Sequence, residues 1–252
     1  MGFKSKRFFV FLSSLVNLTD MASYKLIPYG ISDFAQVRRE DKYYVDKTMY
    51  LPKMEAAGNF LFLIRPRRFG KSLFLSMMRC YYDILEKDNF HNLFSGLWIE
   101  NHPTTLMGTF QVLYMDFSQV GGDMNNLFDR FNSRIGAVLD DFAYRYERFY
   151  YNGFAADVEK KSDFRSKLDH ITLLAKRKGI RLYLIVDEYD NLTNTVLNVA
   201  GEEVYHAMTH AEGFHRDVFK LFKPNFDRIL MMGVSPVTMD DVTSGYNIAT
   251  SL

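Results

Sequence analysis

The chain has a single cysteine, Cys80, among 252 residues, so no disulfide can form within it. That usage fits a reducing compartment, and Cys80, set in a helical apolar pattern, is expected to be a small core residue. Neither charge sign is in excess: 31 basic residues face 30 acidic ones, a net charge of +1. Composition therefore gives no support for bulk nucleic-acid binding, although a local basic patch stays open. No internal repeat, low-complexity tract or linker divides the chain. His206, His210 and His215 have no adjacent cysteine and no His-Glu-x-x-His pattern, which argues against a zinc site. The most apolar N-terminal run, Phe8-Phe-Val-Phe-Leu-Ser-Ser-Leu-Val, is too short to span a bilayer as a helix, so no stable membrane insertion is expected.

Two segments carry chemistry. Leu61-Phe-Leu-Ile-Arg-Pro-Arg-Arg-Phe-Gly70-Lys71-Ser72 is an apolar run that breaks into a Gly-Lys-Ser turn and continues as an amphipathic stretch. That is the strand, loop and helix order of a phosphate cradle, in which the N–H groups and dipole of the helix start favour an anion. The usual pattern places glycine six residues before the lysine, where this chain has Arg65. Leu182-Tyr-Leu-Ile-Val-Asp187-Glu188 reads as a buried parallel strand bearing two carboxylates at its C-terminal edge, where open α/β sheets bind ligands.

Roles follow from residue chemistry. Lys71 is expected on the β- and γ-phosphates of ATP, Gly70 lets the backbone approach, and Ser72 and Asp187 hold Mg2+. Glu188 is the candidate that orients or deprotonates the attacking water, so Glu188 and Lys71 form the expected catalytic pair. The loop set Arg67, Arg68, Phe69, Gly70, Lys71, Ser72 and Leu73 is the expected cofactor-binding surface. Arg67 and Arg68 suit phosphate contact, an arginine finger toward a neighbouring subunit, or a solvated loop. Ser235, after Leu230-Met-Met-Gly-Val, suits either a sensor of the γ-phosphate or a turn hydroxyl before Pro236. Tyr144, Tyr146, Phe149, Tyr150 and Tyr151, interleaved with Arg145 and Arg148, suit base stacking or the packed face of a helix.

Elsewhere strand and helix patterns alternate. Strands are expected at Phe60 to Arg65, Gln111 to Phe117, around Asp187 and at Arg228 to Val234. The expected helices run from Lys71 to about Glu86, with Leu73, Met77, Tyr81 and Leu85 on one face, from Asn125 to about Tyr151, from Ser162 to Lys178 before Gly179, and from Gly201 to Leu221. This is an α/β three-layer αβα sandwich with a mainly parallel sheet, as in P-loop NTPases. A strand inserted between the Lys71 and Asp187 strands would make it the additional-strand type, though the pattern does not fix strand order.

The block Arg65-Pro-Arg-Arg-Phe-Gly-Lys-Ser-Leu, with Tyr43-Tyr-Val-Asp46-Lys47-Thr48 upstream and Gly233-Val-Ser-Pro-Val-Thr-Met-Asp-Asp downstream, resembles the bacterial AAA-ATPase-like family from about Leu26 onward. That family characteristically has arginine in place of the first Walker A glycine. The resemblance implies a Walker A and Walker B site for ATP and Mg2+, with Asp46-Lys47-Thr48 near the base pocket; a helix N-terminal turn also explains those three residues. It also implies a following nuclease-like domain of the PD-(D/E)XK class; that domain, the last core strand and the lid are expected to be missing from residues 21–252.

Residues 1–20 read as a start-site artefact or apolar leader, with Lys4, Lys6 and Arg7 before the apolar run in the order of a signal peptide but no small-x-small cleavage site. Residues 21–252 read as one cytoplasmic ATPase domain, incomplete at its C-terminus. Three function classes stay open: an ATP hydrolase that drives an effector domain or partner, a nucleotide-dependent switch with little turnover, and an inactive remnant. A homo-oligomer is compatible with all three.

Overall fold

The computed structural model describes residues 24–118, 127–191, 220–234 and 250–251 of the chain. Five strands, β1 (Phe60–Ile64), β2 (Gln111–Asp116), β3 (Leu182–Asp187), β4 (Arg228–Gly233) and β5 (Thr250–Ser251), form one sheet in the order β2-β3-β4-β1-β5. Every pairing is parallel. β4 lies between β1 and β3, the inserted position that makes this an additional-strand α/β sandwich. At the outer edge of β1 a two-residue strand, Thr250 and Ser251, pairs in parallel with Leu61 and Phe62. The edge of β1 away from β4 offers backbone donors and acceptors that a short extended segment satisfies, and two residues are too few to give a period in the sequence.

The sheet sits between two helical layers because its strands alternate apolar side chains on both faces. Phe62, Leu184, Val186, Ile229 and Met231 pack with helices α5 (Leu127–Tyr146), α6 (Phe154–Glu159) and α7 (Phe164–Arg177). Leu61, Leu63, Tyr183, Ile185, Leu230 and Met232 face α1 (Phe34–Arg39), α2 (Leu51–Ala57), α3 (Lys71–Tyr82) and α4 (Phe90–Phe94). Each such side chain, fully buried, contributes about 2 kcal/mol, which is why β3 and β4 read as unbroken apolar runs.

Helix α3 ends at Tyr82, short of the expected Glu86. Asp83 leaves the helix with φ −69° and ψ 126°. Its carboxylate accepts from the Leu85 N–H, the Tyr146 hydroxyl and the Arg145 guanidinium. The buried face of α3 is Phe74, Leu75, Met77, Met78, Tyr81 and Tyr82, while Leu73 is only half-buried. α5 stops at Tyr146, followed by a short 3-10 turn to Phe149. α7 is capped by Asp163, which accepts from the Ser166 N–H at 2.9 Å, and Gly179 follows it with φ +66°, as a left-handed C-terminal residue must. Of the expected 201–221 helix, only 220–221 fall among the described residues and are helical; the rest lies outside them.

Candidate functional site

All strands being parallel, their C-terminal ends meet at one edge, and that edge gathers the residues singled out from the sequence. β1 ends at Ile64, and the loop from Arg65 to Gly70 turns directly into α3. Gly70 is the N-terminal flanking residue of that helix, with φ 72° and ψ 30°, a left-handed conformation natural to glycine. It supplies no side chain to cap the helix, so the first N–H groups of α3 stay directed at the loop, which is the geometry that attracts an anion. Arg68 also has a positive φ, 67°.

Arg65, where the usual pattern has glycine, needs no positive φ. Its N–H donates to the Gly233 carbonyl at 3.1 Å, which extends the β1–β4 pairing, and its carbonyl accepts from Lys71 Nζ at 3.3 Å. The side chain is exposed and lines a neighbouring cavity, so an arginine fits without strain. Lys71 also donates to the Pro66 carbonyl at 3.3 Å, so the buried ammonium is folded into the loop.

Opposite the loop, the Asp187 carboxylate is 3% exposed and accepts three hydrogen bonds. Oδ2 takes the Ser72 hydroxyl at 3.0 Å and the Tyr114 hydroxyl at 3.2 Å, and Oδ1 takes the Glu188 N–H at 3.0 Å. Burial pushes the Asp187 carboxyl above the usual range, against the pull of these donors. Glu188 is half-buried with φ 51°, a costly backbone position for a non-glycine residue. Its carboxyl is raised by burial and by the charges of Asp187 and Asp116, while Lys71 and Arg67 pull it down.

Two residues of this edge carried no sequence assignment. Asp116 ends β2 and stands in register with Asp187; Tyr114 ties β2 to the Asp187 carboxylate. The available signal was the apolar run ending in aspartate at Val112 to Asp116, which repeats the pattern of β3. Lys47 lies against the loop. Its Nζ donates to the Phe69 carbonyl at 3.2 Å. Asp46 fixes this turn by accepting from the Thr48 N–H and hydroxyl and from the Trp98 N–H. Beyond Lys47 a cavity of about 460 Å3 opens beside the loop, walled by Tyr50, Met54, Leu63, Phe69, Phe74 and Met232.

Ser235 and the three spaced histidines lie outside the described residues. Among the described residues no cluster of histidine, cysteine or carboxylate suits a metal ion by side chains of those types alone, and no helix is long and apolar enough to cross a membrane. Of the aromatic cluster, Tyr146 and Tyr150 are core residues, whereas Tyr144 is exposed. Cys80 is free and half-buried, with its thiol pushed up to about 12 by burial.

A 42% identical match over 89 residues links the chain to an uncharacterized protein in the vnfD 5' region of Azotobacter chroococcum mcd 1; it covers 32% of this chain and 16% of that protein. The chain thus spans a small part of that relative's length. No solved structure matches. The family model of the AAA-ATPase-like proteins, described as predicted AAA-ATPases, matches residues 28–243, and the chain belongs to that family.

Proposed function

We propose that this chain binds Mg-ATP at the N-terminus of α3 and hydrolyses it. The observation that carries this reading is the Ser72–Asp187 hydrogen bond beside the uncapped start of α3. A serine hydroxyl and a carboxylate oxygen in contact, next to free N–H groups and a lysine ammonium, are the donor set that a divalent cation and a polyphosphate require together.

The residues fit both groups. Lys71 exchanges its bonds to the Arg65 and Pro66 carbonyls for phosphate oxygens, and the N–H groups from Gly70 to Leu73 cradle the same anion. Ser72 and Asp187 hold Mg2+, with Tyr114 keeping the carboxylate oriented. Mg2+, when bound, neutralises charge on the phosphates. The cavity beyond Lys47 takes the nucleoside: its walls are aromatic and aliphatic, and its volume lies in the range of small-ligand sites. Arg67 and Arg68 are exposed at the loop and serve as further phosphate contacts.

Glu188 provides turnover. Its raised carboxyl makes it a better proton acceptor than an ordinary glutamate, and it directly follows Asp187 at the C-terminal end of β3. Coupling of hydrolysis to an effector domain or partner, in the cytoplasm, completes the reading. Steady-state ATP turnover by the purified chain tests it. Removal of the base, Glu188→Gln, is expected to lower kcat by about 100-fold or more, with Mg-ATP still bound. Turnover unchanged by that substitution would overturn the assignment of Glu188.

A further inference from the structure

The other long edge of the sheet presents a different set of groups. β2 pairs only with β3 among the described residues. Along an edge strand the N–H groups point alternately inward and outward. The Gln111 N–H donates inward to the Arg181 carbonyl, and the Val112 N–H donates outward to the Tyr146 hydroxyl at 2.9 Å. The same alternation turns the Tyr114 N–H outward, past the end of the Tyr146 cover.

This stretch of edge forms the floor of a cavity of about 280 Å3 between α3 and α5. Arg79 from α3 and Arg134 and Arg145 from α5 line it, with Asp141 as its lining acid. Arg145 is answered: it pairs with Asp83 at 2.9 Å and has Asp141 nearby. Arg79 lies with its guanidinium carbon 4.7 Å from the centre of the Tyr114 ring. Neither Arg79 nor Arg134 has an ion pair among the described residues.

We propose that this groove is a second anion site, separate from the α3 loop, for a small phosphate-bearing ligand. Two guanidiniums without an ion pair and an outward backbone N–H supply the kind of donors a phosphate takes, because guanidinium forks bind phosphate oxygens in pairs. A monocarboxylate would leave one arginine unanswered. The volume is that of a small-ligand site. The groove also shares a side chain with the acidic end of β3, since the Tyr114 hydroxyl reaches Asp187.

The proposal does not depend on nucleotide binding at the α3 loop. Equilibrium dialysis with radiolabelled orthophosphate tests it, on the Lys71→Ala chain so that the loop contributes little. Phosphate should still bind, and adding Arg134→Ala should weaken it about tenfold or more, the loss of one charge-assisted bond pair. Arg134 is exposed, so an unchanged melting temperature verifies the fold; Arg134→Glu, which reverses the charge, should abolish binding. Glycerol 3-phosphate is titrated alongside: tighter binding than orthophosphate with the same Arg134 dependence assigns the site to a phosphate ester, and equal binding assigns it to free phosphate. Absence of phosphate binding in Lys71→Ala, or binding indifferent to Arg134, overturns the proposal. Capture of single-stranded oligothymidylate where orthophosphate does not bind would replace it with a nucleic-acid surface.

Discussion

The Ser72 hydroxyl donates to Asp187 Oδ2 at 3.0 Å, joining residues 115 positions apart in the chain. With β4 between β1 and β3, the start of α3 at the end of β1 reaches past the end of β4 to the end of β3. A fold that paired β1 directly with β3 would not need this reach. On the function proposed above, the same bond holds together the two oxygens that would ligate Mg2+.

Ser72→Ala removes that hydroxyl while leaving the helix start intact. ATP affinity in the presence of Mg2+ should fall by about tenfold or more, as expected for losing one bond to a charged group. Affinity measured in excess EDTA should change little. Equal losses with and without Mg2+ would show that Ser72 acts on the loop rather than on the metal.

Glu188→Gln should raise the melting temperature of the nucleotide-free chain near pH 7. The folded state holds the Glu188 carboxyl raised, chiefly by burial and by Asp187. The folded chain therefore binds more protons than the unfolded one between the ordinary glutamate pKa and the raised value, and stability is lost as pH rises through that window. The glutamine side chain carries no charge, so its advantage should be present above the window and vanish below it. Melting curves at a series of pH values measure the crossover; an advantage that persists unchanged at acid pH contradicts the account.

Much of this site was legible because its parts are local. Gly70-Lys71-Ser72 after an apolar strand announces a loop and helix start, and the β3 run ending at Asp187 announces its own burial on both faces. Asp116 and Tyr114 were not legible in role, since only strand order and register put them beside Asp187. The early end of α3 was hidden for a similar reason. Asp83 is drawn out of the helix by Tyr146 and Arg145, partners from α5 that no local period can reveal. The short β5 likewise depends on the open edge of β1, a tertiary property.

Gly233→Ala should destabilise the chain by about 1–3 kcal/mol, the usual cost of overpacking a tight position. A Cβ at this site would lie 2.5 Å from Asp190 Oδ1 and 2.6 Å from Tyr189 Cε1. Asp190 also accepts from the Val234 N–H at 3.1 Å, so it has little freedom to move aside. Urea unfolding of the two proteins gives the difference directly. A midpoint unchanged from the wild type would mean that the loop after β3 yields more easily than its packing implies.

Lys47→Ala should weaken nucleotide binding by about tenfold, the effect of removing one charge-assisted contact beside the loop. Lys47 Nζ reaches the Phe69 carbonyl and lies within 3.6 Å of where a Gly70 side chain would begin. On the proposed reading, with the nucleoside in the cavity that Lys47 lines, its loss should matter for ATP and for ADP alike. Competition binding of the two nucleotides measures this, and a loss confined to ATP would place Lys47 at the terminal phosphate.

The most direct test of the central claim is calorimetric titration of the chain with Mg-ATP, with Lys71→Ala as the paired control. Lys71 is the buried ammonium folded into the Arg65 to Gly70 loop. The account predicts saturable binding by the wild-type chain and a loss of about 10-fold to 100-fold in affinity when that ammonium is removed. Equal affinity in the two proteins, or no binding by the well-folded wild-type chain, would contradict the assignment of this loop as a nucleotide cradle.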